Sequence, residues 1–198
     1  MPQQRRAQLT RRAILIAAAT EFDLVGYEAA ALNAILRRSR TTKGAFYFHF
    51  SSKEAVAEAL VEDYAAGLSA LRREWLERGL DPLSTAVGLT VEAARRVERD
   101  VVLRAGLLLS CRRPGAVGDG WDGLIDRLLH ESAEAGQLEP DADPAAVARV
   151  VHAGLVGAHK IGADFSGLSE RFVEIWRVVL AGVAREGALG RPEILGRT

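Results

Sequence analysis

From Ser51 to Arg185 the apolar side chains recur at helical spacing and nowhere alternate with polar ones over the length of a strand, which confines the fold to packed helices. Val56, Leu60, Tyr64, Leu68, Leu71 and Trp75 step by four, four, four, three and four, one stripe along a helix that stops near Gly79. Asp81-Pro82 supplies an N-cap and a first-turn proline for the next helix, which runs to about Val97 with Leu83, Val87, Val91 and Ala94 on one face. Asp100 caps a third, through Ser110. After a loop from Arg112 to Gly120, Trp121, Leu124, Ile125, Leu128 and Leu129 fall at 0, 3, 4, 7 and 8, an amphipathic helix that ends at Gly136. Asp143-Pro144 starts another to about Ala163, Ser169 to Arg185 is the last, and the tail from Gly187 is expected to fray. The fold class is all-α. With 48% hydrophobic residues among 198, the chain can bury a core in one or two domains.

No apolar run approaches the roughly 18 residues of a membrane span, and the opening MPQQRRAQLTRR lacks the apolar centre of a secretory signal. The expectation is a cytoplasmic protein without a membrane partner. The single cysteine, Cys111, can form no internal disulfide and reads as a small buried side chain. There is no Gly-x-Ser-x-Gly elbow, no phosphate-cradling glycine loop and no credible His/Asp/Glu metal set, so no catalytic residue, metal or cofactor is assigned. His152 and His159 lie seven apart on one helix face, but two imidazoles without a third ligand define no metal site.

The run Arg37 to Glu54, RRSRTTKGAFYFHFSSKE, carries the functional signal. Upstream of it Leu32, Ile35 and Leu36 at i, i+3, i+4 make a short supporting helix. Ser39, Arg40 and Thr41 interrupt the apolar pattern, and Thr42 to Phe48 offer a second short helix, which is helix-turn-helix order. The second helix of such a motif enters the major groove N-terminus first, so its first turn needs slim, polar or cationic residues, and Thr42, Lys43 and Gly44 meet that demand. Ser51 with Glu54 reads as a capping box that starts the long helix behind. Charge agrees with this reading. Residues 1–60 carry 9 Lys+Arg against 5 Asp+Glu, and residues 61–198 carry 17 against 21, a basic head on an acidic body with net charge zero.

Lys43, Gly44, Tyr47, His49, Phe50, Ser52, Lys53 and Glu54 closely resemble the signature of TetR-type transcriptional repressors across the N-terminal 60 residues. The resemblance implies a helix-turn-helix domain over residues 1–52, a helical effector-binding and dimerisation domain over 53–187 and a tail over 188–198. It implies double-stranded operator DNA as partner, with Thr42, Lys43, Gly44 and Tyr47 at the groove and backbone and Thr41, His49 and Lys53 on phosphates, packing beneath the recognition helix being the competing reading for His49. One stretch departs from the family. Where its members usually have an Ala-Gly-Val type turn, this chain has Ser39-Arg40-Thr41, which puts a β-carbon where glycine readily takes a positive φ, at a cost of about 1 kcal/mol. Either the turn adjusts and Arg40 gains a phosphate contact, or DNA affinity is weakened.

Val101 to Leu109, followed after a Gly/Pro loop by Trp121, is similar to the γ-butyrolactone autoregulator receptors, a TetR subgroup. The likeness implies release from operator DNA by a small apolar lactone-like or furan-like signal, with Trp121 as the ligand-contacting tryptophan. A core tryptophan is the competing reading, and for Leu89, Leu107, Leu108 and Val151 an apolar sequence does not separate cavity wall from filled core. The alternative is a divergent regulator that answers another small molecule, such as an antibiotic, or none. Gly154, Ala158 and Gly162 make a smooth face on one helix, and Phe172, Ile175, Trp176, Val179 and Val183 form a stripe on the next. These helices, around 144–163 and 169–185, are the expected homodimer interface, unless both faces bury within their own protomer.

Overall fold

Local chemistry sets the ends of the helices. In the computed structural model, which describes residues 2–111, 118–161 and 165–190, the chain forms α1 (Pro2–Val25), α2 (Leu32–Ser39), α3 (Lys43–His49), α4 (Lys53–Leu76), α5 (Pro82–Arg99), α6 (Val101–Ser110), α7 (Gly118–Glu134), α8 (Pro144–Ile161) and α9 (Leu168–Val183). Among those residues the one β-type pairing is an isolated bridge between Leu138 and Ala184. Carboxylates at three helix starts take orphan backbone donors: Asp81 accepts from the Ser84 N–H at 2.7 Å, Asp100 from Val102 at 2.8 Å and Asp143 from Ala145 at 3.0 Å. After α1, α4 and α7 the chain turns through Gly26, Gly79 and Gly136 at φ of 78°, 62° and 69°.

The cap of α4 lies one residue later than the sequence suggests. Ser52, not Ser51, accepts from the Ala55 N–H at 3.2 Å. Glu54 then sits inside the first turn, where its own backbone N–H, the Ser52 hydroxyl and the Tyr27 hydroxyl hold its carboxyl below the ordinary glutamate value.

The chain divides into two compact units, Met1–Gly67 with Arg99–Ala116 and Leu68–Glu98 with Val117–Thr198. The first part of α4, and α6, group with the N-terminal helices in the first of these units. The core of this first unit contains Ile14, Leu15, Phe22, Ile35, Phe46, Val56 and Leu60 together with Val102 and Ala105 of α6. Gly106 explains how α6 comes so close, because a β-carbon there would stand 2.5 Å from both the Leu60 carbonyl oxygen and Tyr64 Cβ. Arg104 Nε donates to both carboxylate oxygens of Asp23 at 3.1 Å and ties α6 to α1. Cys111, expected to be buried, is exposed just beyond the end of α6.

The second unit packs Leu71, Trp75, Leu83, Val87, Leu89, Leu124, Leu128, Leu129, Val151 and Trp176 into one core. Trp176 is fully buried and donates its indole N–H to Thr90 Oγ1 at 2.7 Å. Gln137 clasps three segments: its Oε1 accepts from the Leu83 N–H at 3.3 Å and its Nε2 donates to Asp81 Oδ1 and the Ala188 carbonyl, each at 2.7 Å. The Arg185 N–H adds a bond to the Gln137 carbonyl at 3.0 Å, and Ala188 and Leu189 pack on the core. The segment expected to fray from Gly187 is thus held as far as Leu189. The smooth face of α8 also finds its partner inside the protomer. A β-carbon on Gly154 would lie 3.2 Å from Ile175 Cγ2, Ala158 is buried and its carbonyl accepts from Arg171 Nε at 3.1 Å. Gly162 lies outside the described residues.

Candidate nucleic-acid interface

The turn between α2 and α3 keeps the geometry that glycine favours although arginine occupies it. Arg40, at φ 53° and ψ 38°, is the only non-glycine residue of positive φ among the described residues. The Arg40 N–H bonds the Arg37 carbonyl at 3.2 Å and the Thr41 N–H the Leu36 carbonyl at 3.1 Å, the paired closure that satisfies the carbonyls at a helix end. Ser39 Oγ donates to the Ile35 carbonyl at 2.8 Å and lies 2.7 Å from Thr41 Oγ1. Thr41, expected on phosphate, therefore has its hydroxyl in the turn, while the Arg40 side chain is exposed.

Helix α3 is anchored by one ring and leaves the rest of its surface open. Thr42 is its N-cap, with Oγ1 accepting from the Ala45 N–H at 3.1 Å. Phe46 is completely buried and meets Tyr47 edge-on at 5.4 Å and Phe50 at 6.1 Å. Thr42, Lys43, Gly44, Tyr47 and Phe48 are exposed, a strip of one to two turns along the outer face, with Lys43 Nζ 6.0 Å above the Tyr47 ring. His49 is half-buried and edge-on to Phe48 at 5.0 Å. Phe48 is 79% exposed, the most exposed large hydrophobic residue among those described. Sequence alone does not mark Phe48 as exposed, because an aromatic in an apolar-rich helix reads as core.

Lys53, which the resemblance assigns to phosphate, bonds the chain's own backbone in this structure. Its ammonium donates to the carbonyls of Tyr27, Ala30 and Glu28 at 2.9, 3.1 and 3.4 Å, and stands 4.6 Å over the Tyr27 ring. The lysine closes the α1–α2 connection from the first turn of α4. No local pattern announces this, since its partners lie 23 to 26 residues away.

Residues 14–60, which span this motif, match bacterial regulatory proteins of the tetR family. Over the whole chain the protein is 34% identical to the A-factor receptor protein of Streptomyces griseus, of which it covers 72%. The chain belongs to the tetR family. Two solved structures show how far the likeness extends. A γ-butyrolactone receptor described as ArpA-like superposes with a TM-score of 0.82 at 30% identity, over 96% of this chain and 94% of that one. The tetR-family protein CprB of Streptomyces coelicolor, in complex with its operator sequence, superposes with a TM-score of 0.78 at 31% identity, over 91% and 90%. The protein is thus a DNA-binding transcriptional regulator of the tetR fold, and no described helix is long and apolar enough to cross a membrane.

The residues expected at the effector site of this tetR-family chain are divided between the two units. Leu89 and Val151 are both fully buried in the core of the second unit. Leu107 and Leu108 are half-buried on α6, which belongs to the first unit. Trp121 lies on α7, but its side chain is outside the described residues, as is that of His159. The second unit holds three buried side-chain polar atoms without a partner among the described residues, Trp75 Nε1, Ser84 Oγ and Arg171 Nη2, and Arg78 covers the Trp75 ring at 4.0 Å.

Proposed function

We propose that this protein is a homodimeric repressor released from operator DNA by a small γ-butyrolactone-like signal. The observation that carries the reading is that the 34% identity to the A-factor receptor protein runs through the body as well as the head. A match confined to the motif would leave the effector unspecified. In this reading Thr42, Lys43, Gly44 and Tyr47 face the major groove, and Arg40 and His49 contact the flanking phosphates. The effector binds in the second unit near Leu89, Val151 and Trp121. The Trp75 indole N–H, without an acceptor among the described residues and in the same core as Leu89 and Val151, supports an oxygen-bearing ligand in this unit, because a buried donor without an acceptor costs about 1–3 kcal/mol that a ligand oxygen recovers.

Dimerisation in this reading uses α8 and α9, through faces other than those the sequence suggested. Val150 and Val156 on α8 and Val178 on α9 are 59%, 45% and 76% exposed, and Gly157 and Gly182 have nothing within 4 Å of where a β-carbon would stand. An apolar, smooth outer surface of this kind fits a second copy packed helix to helix. Release then follows from tighter binding of the signal to dimers whose two α3 helices depart from the spacing of one DNA turn, about 34–36 Å.

The test is a titration of duplex DNA, recovered by selection from a random-sequence pool, with and without an added γ-butyrolactone. Salt-sensitive selective binding that the lactone abolishes is the expected result. Selective binding that no lactone disturbs would retain the repressor and remove the lactone, leaving the regulator of another small molecule.

A further inference from the structure

We infer that the Phe48 ring reads thymine methyl groups in the major groove of the operator. The inference rests on α3 being the DNA-reading helix. Two features of α3 have no explanation within the protein. Phe48 exposes 79% of its surface, and its one aromatic neighbour is His49, edge-on at 5.0 Å. Gly44 sits in the first turn of the same helix without positive φ and with nothing within 4 Å of where its β-carbon would be, so neither backbone conformation nor packing calls for glycine there.

The two are four residues apart, one above the other on the outer face. Helical side chains lean toward the N-terminus of their helix, the end that leads into a major groove, and on that side of Phe48 the outer face carries only Gly44, with no atom within 4 Å of where its β-carbon would be. With glycine below it, no side chain stands between ring and groove floor. The partner must be apolar at the point of contact, compact, and reachable from the groove. The thymine C5-methyl is the one such group that a base pair presents there. Lys43 and Tyr47, in the same exposed strip, carry the cationic and polar groups that face the groove beside the ring.

The experiment uses the full-length protein and the selected duplex, with each thymine in turn replaced by uracil in both half-sites, which removes a methyl and alters no hydrogen bond. For the native protein at least one replacement should weaken binding by roughly fourfold per half-site, the worth of one buried methyl-sized group. Phe48→Ala should bind more weakly to the thymine duplex and be indifferent to that replacement, while Phe48→Leu keeps part of the sensitivity. Circular dichroism of each variant should match the native spectrum, since a ring 79% exposed adds little to the packing. If Phe48→Ala responds to every uracil as the native protein does, or binds the thymine duplex equally well, the inference is overturned. Failure of the native protein to select any duplex would instead overturn the assignment of α3 on which the inference stands.

Discussion

At Arg40 a non-glycine side chain is held in the left-handed region at φ 53°, with the helix-end hydrogen bonds intact. The turn has not adjusted to the arginine; it bears the strain and presents the guanidinium to solvent. Arg40→Gly should relieve about 1 kcal/mol of strain, less the entropy glycine adds to the unfolded chain, for a net stabilisation of about 0.5 kcal/mol in urea denaturation. The same variant should lower the salt dependence of DNA binding by about one counterion per protomer if Arg40 touches phosphate. Lys53 separates structure from binding in the opposite sense. Removing its ammonium in Lys53→Met leaves three carbonyls without their donor, so unfolding should cost about 1–3 kcal/mol less while the salt slope stays put. Unchanged stability with a reduced slope would return Lys53 to the phosphates. The strained turn was legible in the sequence because a family pattern has glycine there. The role of Lys53 was not, because a lysine's reach across 23 residues leaves no periodic trace.

Helices were the legible elements. Stripes such as Val56, Leu60, Tyr64, Leu71 and Trp75, all buried, and aspartates before helix starts are local signals, and local signals survive into the fold. Where two residues offer the same chemistry the register is ambiguous, as with Ser51 and Ser52. Close approach was legible only in part. Gly154 marks a place where another helix comes near, but glycine marks nearness without naming the neighbour, and Ile175 of the same chain fills it. Gly106 gave no signal at all, because a glycine inside an apolar run looks dispensable. It is the residue that lets α6 join the first unit. Gly106→Ala should lower the unfolding free energy by about 1–3 kcal/mol, read from the thermal midpoint, since the new methyl meets the Leu60 carbonyl and not a side chain that can turn aside.

For the molecule as a whole, the zero net charge conceals an imbalance of four charges either way between residues 1–60 and the remainder. A single head with a short α3 gains useful affinity only beside a second one, so assembly and DNA binding should fail together. Val178→Asp puts a charge on the exposed face of α9 without entering the core. It should leave the helical content unchanged, convert the protein to monomer in sedimentation velocity, and weaken operator binding by about a hundredfold or more. A dimer that persists would move the interface away from α9.

The division into two units also sorts the chromophores. The three tyrosines, Tyr27, Tyr47 and Tyr64, all fall in Met1–Gly67, and the three tryptophans, Trp75, Trp121 and Trp176, all fall in Leu68–Glu98 and Val117–Thr198. Each unit thus carries its own optical label without any engineered probe. Indole emission follows the second unit alone, and the phenol absorption, with Tyr47 on α3, follows the first. One cuvette can show which half of the molecule answers first when a signal or a duplex is added.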